Sequence, residues 1–140
     1  MAGETQKDTA EKLRALHAAG MLILPNAWDA GSAAVIALAG AQAIATTSGG
    51  IAWSLGRCDG QRLTRAEMIE RVREIVAAVA IPVTADIEGG YGPRPEDVAS
   101  TVEAVIGIDD RPRDRDAPGY AERCRHYGRY HLSGAGLMMN

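Results

Sequence analysis

Strands alternating with helices predict an α/β protein built on a parallel sheet. Three observations carry that expectation. A helix-stopping glycine, a short gap and an apolar run occur twice in succession, at Gly20 before MLIL (21–24) and at Gly40 before AIATT (43–47). The apolar runs are continuous rather than alternating, as in strands covered by crossover helices. The chemically suggestive residues fall in the segments after those runs, and parallel α/β sheets bind ligands at the carboxyl ends of their strands.

Taken in order, Thr5 to Ala19 reads as a helix with Leu13 and Leu16 on one face and Gly20 as its C′ stop. Met21 to Leu24 is the first strand, Asn26 to Ala30 its loop, and Gly31 to Ala39 an alanine-rich helix ended by Gly40. Ala43 to Thr47 is the second strand, followed by a long loop from Ser48 to Gly60. In T-R-A-E, Thr64 and Glu67 form a capping box, and Met68, Val72, Ile75, Val76 and Val79 follow at helical spacing. Pro82 opens the third strand, Asp86 to Arg94 is its loop, and Pro95 suits the first turn of a last helix. Val98, Val102, Val105 and Ile106 line one face of that helix, so the order is αβαβαβα.

The 140 residues, 46% apolar and 24% charged, suit one globular domain with a real core. A net charge of -3 with acids and bases interspersed excludes a nucleic-acid surface. No run approaches the ~18 apolar residues of a membrane span, and the N-terminus MAGETQKDTAEKLRAL has no apolar signal core, so a cytoplasmic protein is expected. Cys58 and Cys124 have neither disulfide-framework nor zinc spacing and read as free thiols.

PVTADIEGGYG (82–92) is the most informative stretch. Side chains two apart on a strand share a face, so Asp86 and Glu88 point the same way where the strand runs out. Two such carboxylates repel unless a cation lies beside them, and a hard ion such as Mg²⁺ suits them. An ordinary acid pair in a loop is the plainer alternative. Ser48, Gly49 and Gly50 follow the second strand, where bare backbone N–H groups and a hydroxyl can hold a carboxylate or phosphate oxygen, although S-G-G is also a common flexible turn. Asp59 before Gly60 is a D-G turn or a catalytic acid. Trp28 and Trp53 read as wall or packing residues.

LPNAWDAGSA, then IATTSGGIAWSLGRCDGQRLTRAEM and VTADIEGGYG, together resemble the isocitrate lyase and phosphoenolpyruvate phosphomutase superfamily, which includes the 2-methylisocitrate lyases, over roughly Leu24 to Val105. The resemblance implies the first three βα units of a (β/α)8 barrel of TIM type, after an N-terminal helix. It implies a Mg²⁺-dependent enzyme, with Mn²⁺ as a substitute, acting on a small 2-oxo or 2-hydroxy carboxylate as a lyase, hydrolase or phosphonomutase. Carried over residue by residue, Ser48, Gly49 and Gly50 hold a substrate carboxylate, Asp59 is the catalytic-loop acid that gates the site, Asp86 lies nearest the metal, and Glu88 reaches it through water. Tyr91 and the glycines shape the loop. A homo-oligomer is expected, with no nucleic-acid or membrane partner.

The resemblance ends at Ile106. Family members continue into a fourth strand with an L-E-D motif and later a K-x-C-G-H stretch, whereas residues 107–140 contain no valine or lysine and no sustained apolar period. That segment reads as an irregular tail, disordered or translated from a shifted frame, and His126 and His131 as solvated tail residues. His17 reads as a helix-surface residue. Residues 1–106 are therefore expected to be part of a barrel. The alternative to an enzyme is a truncated, inactive half-barrel that self-associates or only binds small acids.

Overall fold

The computed structural model describes residues 6–108. The elements are α1 (Gln6–Ala18), β1 (Asn26–Ala27), α2 (Ala30–Leu38), β2 (Ile44–Thr46), α3 (Ser48–Ser54), α4 (Arg65–Ala78), β3 (Val83–Thr84) and α5 (Pro95–Ile106). The three strands form one sheet in the order β1-β2-β3, and both pairings are parallel: Asn26 faces Ala45, Ala27 faces Thr46, Ile44 faces Val83 and Ala45 faces Thr84. An order that advances one strand at a time puts right-handed crossover helices on one face. Accordingly α2 packs on α4, and α4 on α5.

Local chemistry explains the boundaries. Gly20 and Gly40 adopt φ of +124° and +95°, the left-handed conformation of a helix-ending C′ residue. Thr64 and Glu67 form the reciprocal capping box expected from T-R-A-E, and Pro95 occupies the first turn of α5. Beneath them lies a core of Ala27, Ala33, Ile44, Ile51, Ala52, Leu63, Met68, Ile69, Val72, Ile75, Val79 and Ile108. Each large apolar side chain buried there contributes about 1.5–3 kcal/mol.

The structure corrects the sequence reading in three places. The first strand is Asn26–Ala27, not Met21 to Leu24, and Met21 and Ile23 are 97% and 75% exposed. A strand exists where a ladder exists: the amides of Ala45 in β2 and of Thr47 just after it donate to the carbonyls of Pro25 and Ala27, and among the described residues no strand pairs with the other flank of β1. Secondly, Ser48–Ser54 is a helix rather than the start of a loop, because Thr47 caps it by accepting from the Gly50 N–H. The order is therefore αβαβααβα. Thirdly, the apolar face of α5 is only partly covered: Val98, Val102 and Ile106 are 36–48% exposed, while Thr101, with its hydroxyl bonded to the Gly90 carbonyl, is fully buried. Ile108, just after α5, is buried in the core. Thr5 and the segment 109–140, with Cys124, His126 and His131, lie outside the described residues.

Candidate functional site

The site grows from the carboxyl ends of β2 and β3. As the ladder between them ends, the Asp86 N–H turns to a side chain and donates to the buried Thr46 Oγ1 at 2.8 Å. Asp86 is thereby held beside the first residue of α3. Ser48 donates to Asp86 Oδ2 twice, from its backbone N–H at 3.1 Å and from its hydroxyl at 2.8 Å. Asp86 Oδ1 accepts the Glu88 N–H at 3.0 Å. Partial burial pushes the Asp86 carboxyl up, but the donors from Glu88 and Ser48 outweigh it and leave its pKa below the usual carboxylate value. Asp86 is therefore an ionised carboxylate, fixed on one side and open to solvent on the other.

The segment between α3 and α4 closes over this pair. Its base is tied by Arg57, whose guanidinium makes two bonds to Glu67 at 3.1 and 2.7 Å and one to the Arg62 carbonyl at 3.2 Å. The Asp59 carboxylate lies over α3, with Oδ2 3.0 Å from the position a Gly49 methyl would take. Two residues on, the Gln61 N–H donates to Glu88 Oε2, and the Gln61 side-chain amide covers Gly89, with Nε2 2.6 Å from where a methyl would stand. Among the described residues, the non-glycine residues with positive φ are Gln61 (54°), Glu88 (53°) and Tyr91 (62°), all in these two loops. Such conformations cost of order 1 kcal/mol or more each and gather at functional sites.

The glycines of G-G-Y-G have separate reasons. Gly90 combines a φ of +82° with close approach to Val98, whose Cγ2 would lie 2.9 Å from an added methyl. Gly92 backs onto Asp97 and leaves 2.3 Å for a methyl. Tyr91 rests against the core, and its hydroxyl is buried without a hydrogen bond among the described residues. Burial first, and then the Glu88 charge, push its pKa up to about 12, so it stays a neutral phenol.

Of the residues singled out from the sequence, the structure brings Ser48, Gly49, Asp59, Asp86 and Glu88 together. Gly50 faces elsewhere: a methyl there would meet Thr47 Cγ2 at 2.6 Å and Trp28 Cβ at 3.2 Å. Trp28 backs that turn, whereas Trp53 is 70% exposed. Thr46 and Gln61 escaped the sequence reading. The doubled threonine before S-G-G was the available signal for Thr46; for Gln61, in an exposed polar loop, there was none.

Asp86 and Glu88 fit a hard cation by donor type: both are carboxylates, and the solvent-facing side of Asp86 leaves room for the waters Mg²⁺ retains. No group of three or more His, Cys, Asp or Glu side chains suited to a metal occurs among the described residues. The apolar cleft of about 210 Å³ lined by Leu13, Val72, Val76, Ile81, Val83 and Val105 lies away from the acids and has no place in this chemistry.

A parallel α/β sheet with paired acids and a capped S-G-G helix at its carboxyl end defines a class of proteins that handle small polar ligands at that end. The chain belongs to the phosphoenolpyruvate phosphomutase family, whose model matches residues 13–109, within the isocitrate lyase/PEP mutase superfamily. It is 40% identical over 87 residues to the 2,3-dimethylmalate lyase of Eubacterium barkeri, covering 61% of this chain and 30% of the lyase. A candidate phosphonomutase of Burkholderia cenocepacia J2315 superimposes with a TM-score of 0.70 at 48% identity, over 72% of this chain and 42% of that one. Oxaloacetate acetylhydrolase, solved with its product oxalate, superimposes with a TM-score of 0.65 at 29% identity, over 72% of this chain and 36% of that one. The chain thus spans 30–42% of the length of these relatives. No helix among the described residues is long and apolar enough to cross a membrane.

Proposed function

We propose that this chain carries the cation-facing and carboxylate-binding part of a lyase-type site for a small 2-oxo or 2-hydroxy carboxylate, on the first three βα units of a (β/α)8 barrel. The observation that carries the reading is the direct bond between the two motifs: Ser48 of S-G-G donates twice to Asp86 of D-I-E, at 3.1 and 2.8 Å. Asp86 and Glu88 would hold Mg²⁺ or Mn²⁺. That ion, when bound, supplies positive charge beside the oxygen on which an enolate-like transition state develops its negative charge.

The remaining work falls to the chain's own residues. Ser48, with Thr46 behind it, keeps Asp86 ionised and oriented. Gly49 at the start of α3 offers backbone to a substrate carboxylate, whereas the Gly50 N–H is taken by Thr47 Oγ1, and Asp59, poised over Gly49, seals the site from water. Tyr91, neutral at any physiological pH, contributes a phenol beside Glu88. The 2,3-dimethylmalate lyase and the oxaloacetate acetylhydrolase among the similar proteins support the choice of substrate class.

A second reading, a polypeptide that binds small acids without turning them over and self-associates, is favoured by the β1 edge, unpaired among the described residues, and by the exposed Met21 and Ile23 just before it. Calorimetric titration of Mn²⁺ into the chain tests the site for both. The expected affinity is about millimolar, as for a sparse carboxylate set, and Asp86→Asn removes it. An identical isotherm in Asp86→Asn would refute the cation assignment. Mg²⁺-dependent turnover of oxaloacetate or 2-methylisocitrate separates the first reading from the second.

A further inference from the structure

We infer that Gln61 is a positioning residue that latches the Asp59 segment to the acid pair. The inference rests on the reading of Asp86 and Glu88 as the cation-facing carboxylates, and it adds a part that reading does not contain. Three contacts of one short segment place it. The Gln61 N–H is bonded to Glu88 Oε2, the Gln61 side chain lies across Gly89, and two residues earlier Asp59 lies over Gly49. The segment therefore touches both loops of the site at once, at α3 through Asp59 and after β3 through Gln61.

The backbone is arranged for that contact. Gln61 and Glu88, the two ends of the bond, both have positive φ, near 54° and 53°, which aims the Gln61 N–H at the Glu88 carboxylate. Gly89 leaves the space: a side chain there would meet the Gln61 amide and oblige that flexible side chain to swing aside. Gly89 itself has no positive φ, so the absence of a side chain, and not backbone freedom, is what the contact requires. The latch has two effects. It orients Glu88 through Oε2, and it holds Asp59 over α3, so that closure of the segment and placement of the carboxylate are one event.

Because an alanine methyl at position 89 would meet, among the described residues beyond its chain neighbours, Gln61 alone within 4 Å, Gly89→Ala displaces the Gln61 side chain without replacing it. Gln61→Gly removes the side chain while keeping a residue at home at φ 54°. Two readouts apply to the full 140-residue chain: limited trypsin cleavage after Arg62, inside the segment, and Mn²⁺ affinity by calorimetry. Each single variant should speed cleavage after Arg62 several-fold, while cleavage after Arg14 in α1 stays unchanged; Mn²⁺ binding should weaken less, because both variants keep the Gln61 backbone N–H that bonds Glu88. Gly89→Ala should have no further effect in the Gln61→Gly background, where its methyl meets nothing.

Unchanged cleavage after Arg62 in Gly89→Ala would overturn the inference, as would an equal effect of Gly89→Ala in both backgrounds or matching acceleration at Arg14. If no version of the chain binds Mn²⁺, the cation assignment fails, and the proteolysis cycle still decides whether the latch exists.

Discussion

Replacing Ser48 by alanine deletes one defined contact, the 2.8 Å hydroxyl bond to Asp86 Oδ2, and leaves the 3.1 Å backbone bond in place. A hydrogen bond to a charged group contributes about 1.5–3 kcal/mol. Asp86 is open to water on one side, which replaces part of that, so the expected loss is about 1 kcal/mol. The loss depends on pH in a definite sense. Because the folded-state pKa of Asp86 lies below its ordinary value of 3.8, its bonds stabilise the fold fully above about pH 4, and that stability fades as the pH falls through the lowered folded value. Urea unfolding followed by circular dichroism should therefore separate wild type from Ser48→Ala at pH 7 and bring them together near pH 2. The same substitution removes one of the donors that lower the Asp86 pKa, so the Asp86 carboxyl, followed by carbon NMR, should titrate at higher pH. Ser48→Ala and Asp86→Ala should couple by about 1 kcal/mol in a double-mutant cycle. Additive effects together with an unmoved Asp86 titration would show that the two motifs do not meet.

Gly90→Ala should destabilise the fold by more than about 1 kcal/mol, because it combines a φ of +82° with a methyl 2.9 Å from Val98, and a wild-type urea midpoint would contradict that packing. Tyr91→Phe should be neutral or slightly stabilising at pH 7, since it removes a buried hydroxyl that makes no hydrogen bond among the described residues. With the Tyr91 pKa raised from 10.0 to about 12, the contribution of Tyr91 to stability should be level below pH 10 and fall from pH 10 to 12. Tyr91→Phe should lack that part of the fall; identical alkaline curves would place the phenol in water.

Much of this architecture could be read from residue order because its signals are local. C′ glycines, the Thr64 capping box and the helical spacing of Met68, Val72 and Ile75 each report on a few neighbouring residues, and the structure bears them out. What could not be read depends on partners distant in sequence. MLIL has the composition of a buried strand, yet β1 forms one ladder later, where β2 offers its amides, and Met21 and Ile23 are exposed. S-G-G has the composition of a turn, and a single side chain, Thr47, makes it a helix start. The acids Asp59, Asp86 and Glu88 were visible as types in suggestive places. Their mutual geometry required the Thr46 hydroxyl and the Gln61 backbone, neither of which stands out by residue type.

The central claim is that S-G-G, the Asp59 segment and D-I-E make one site for a small carboxylate with a divalent cation. Amide NMR of the chain titrated with oxalate, in the presence and absence of Mg²⁺, tests it most directly. Mg²⁺-dependent shifts should appear together at Ser48, Gly49, Gln61 and Glu88 and be lost in Asp86→Asn. Shifts confined to the apolar cleft around Val72 and Val105, or identical shifts with and without Mg²⁺, would contradict it.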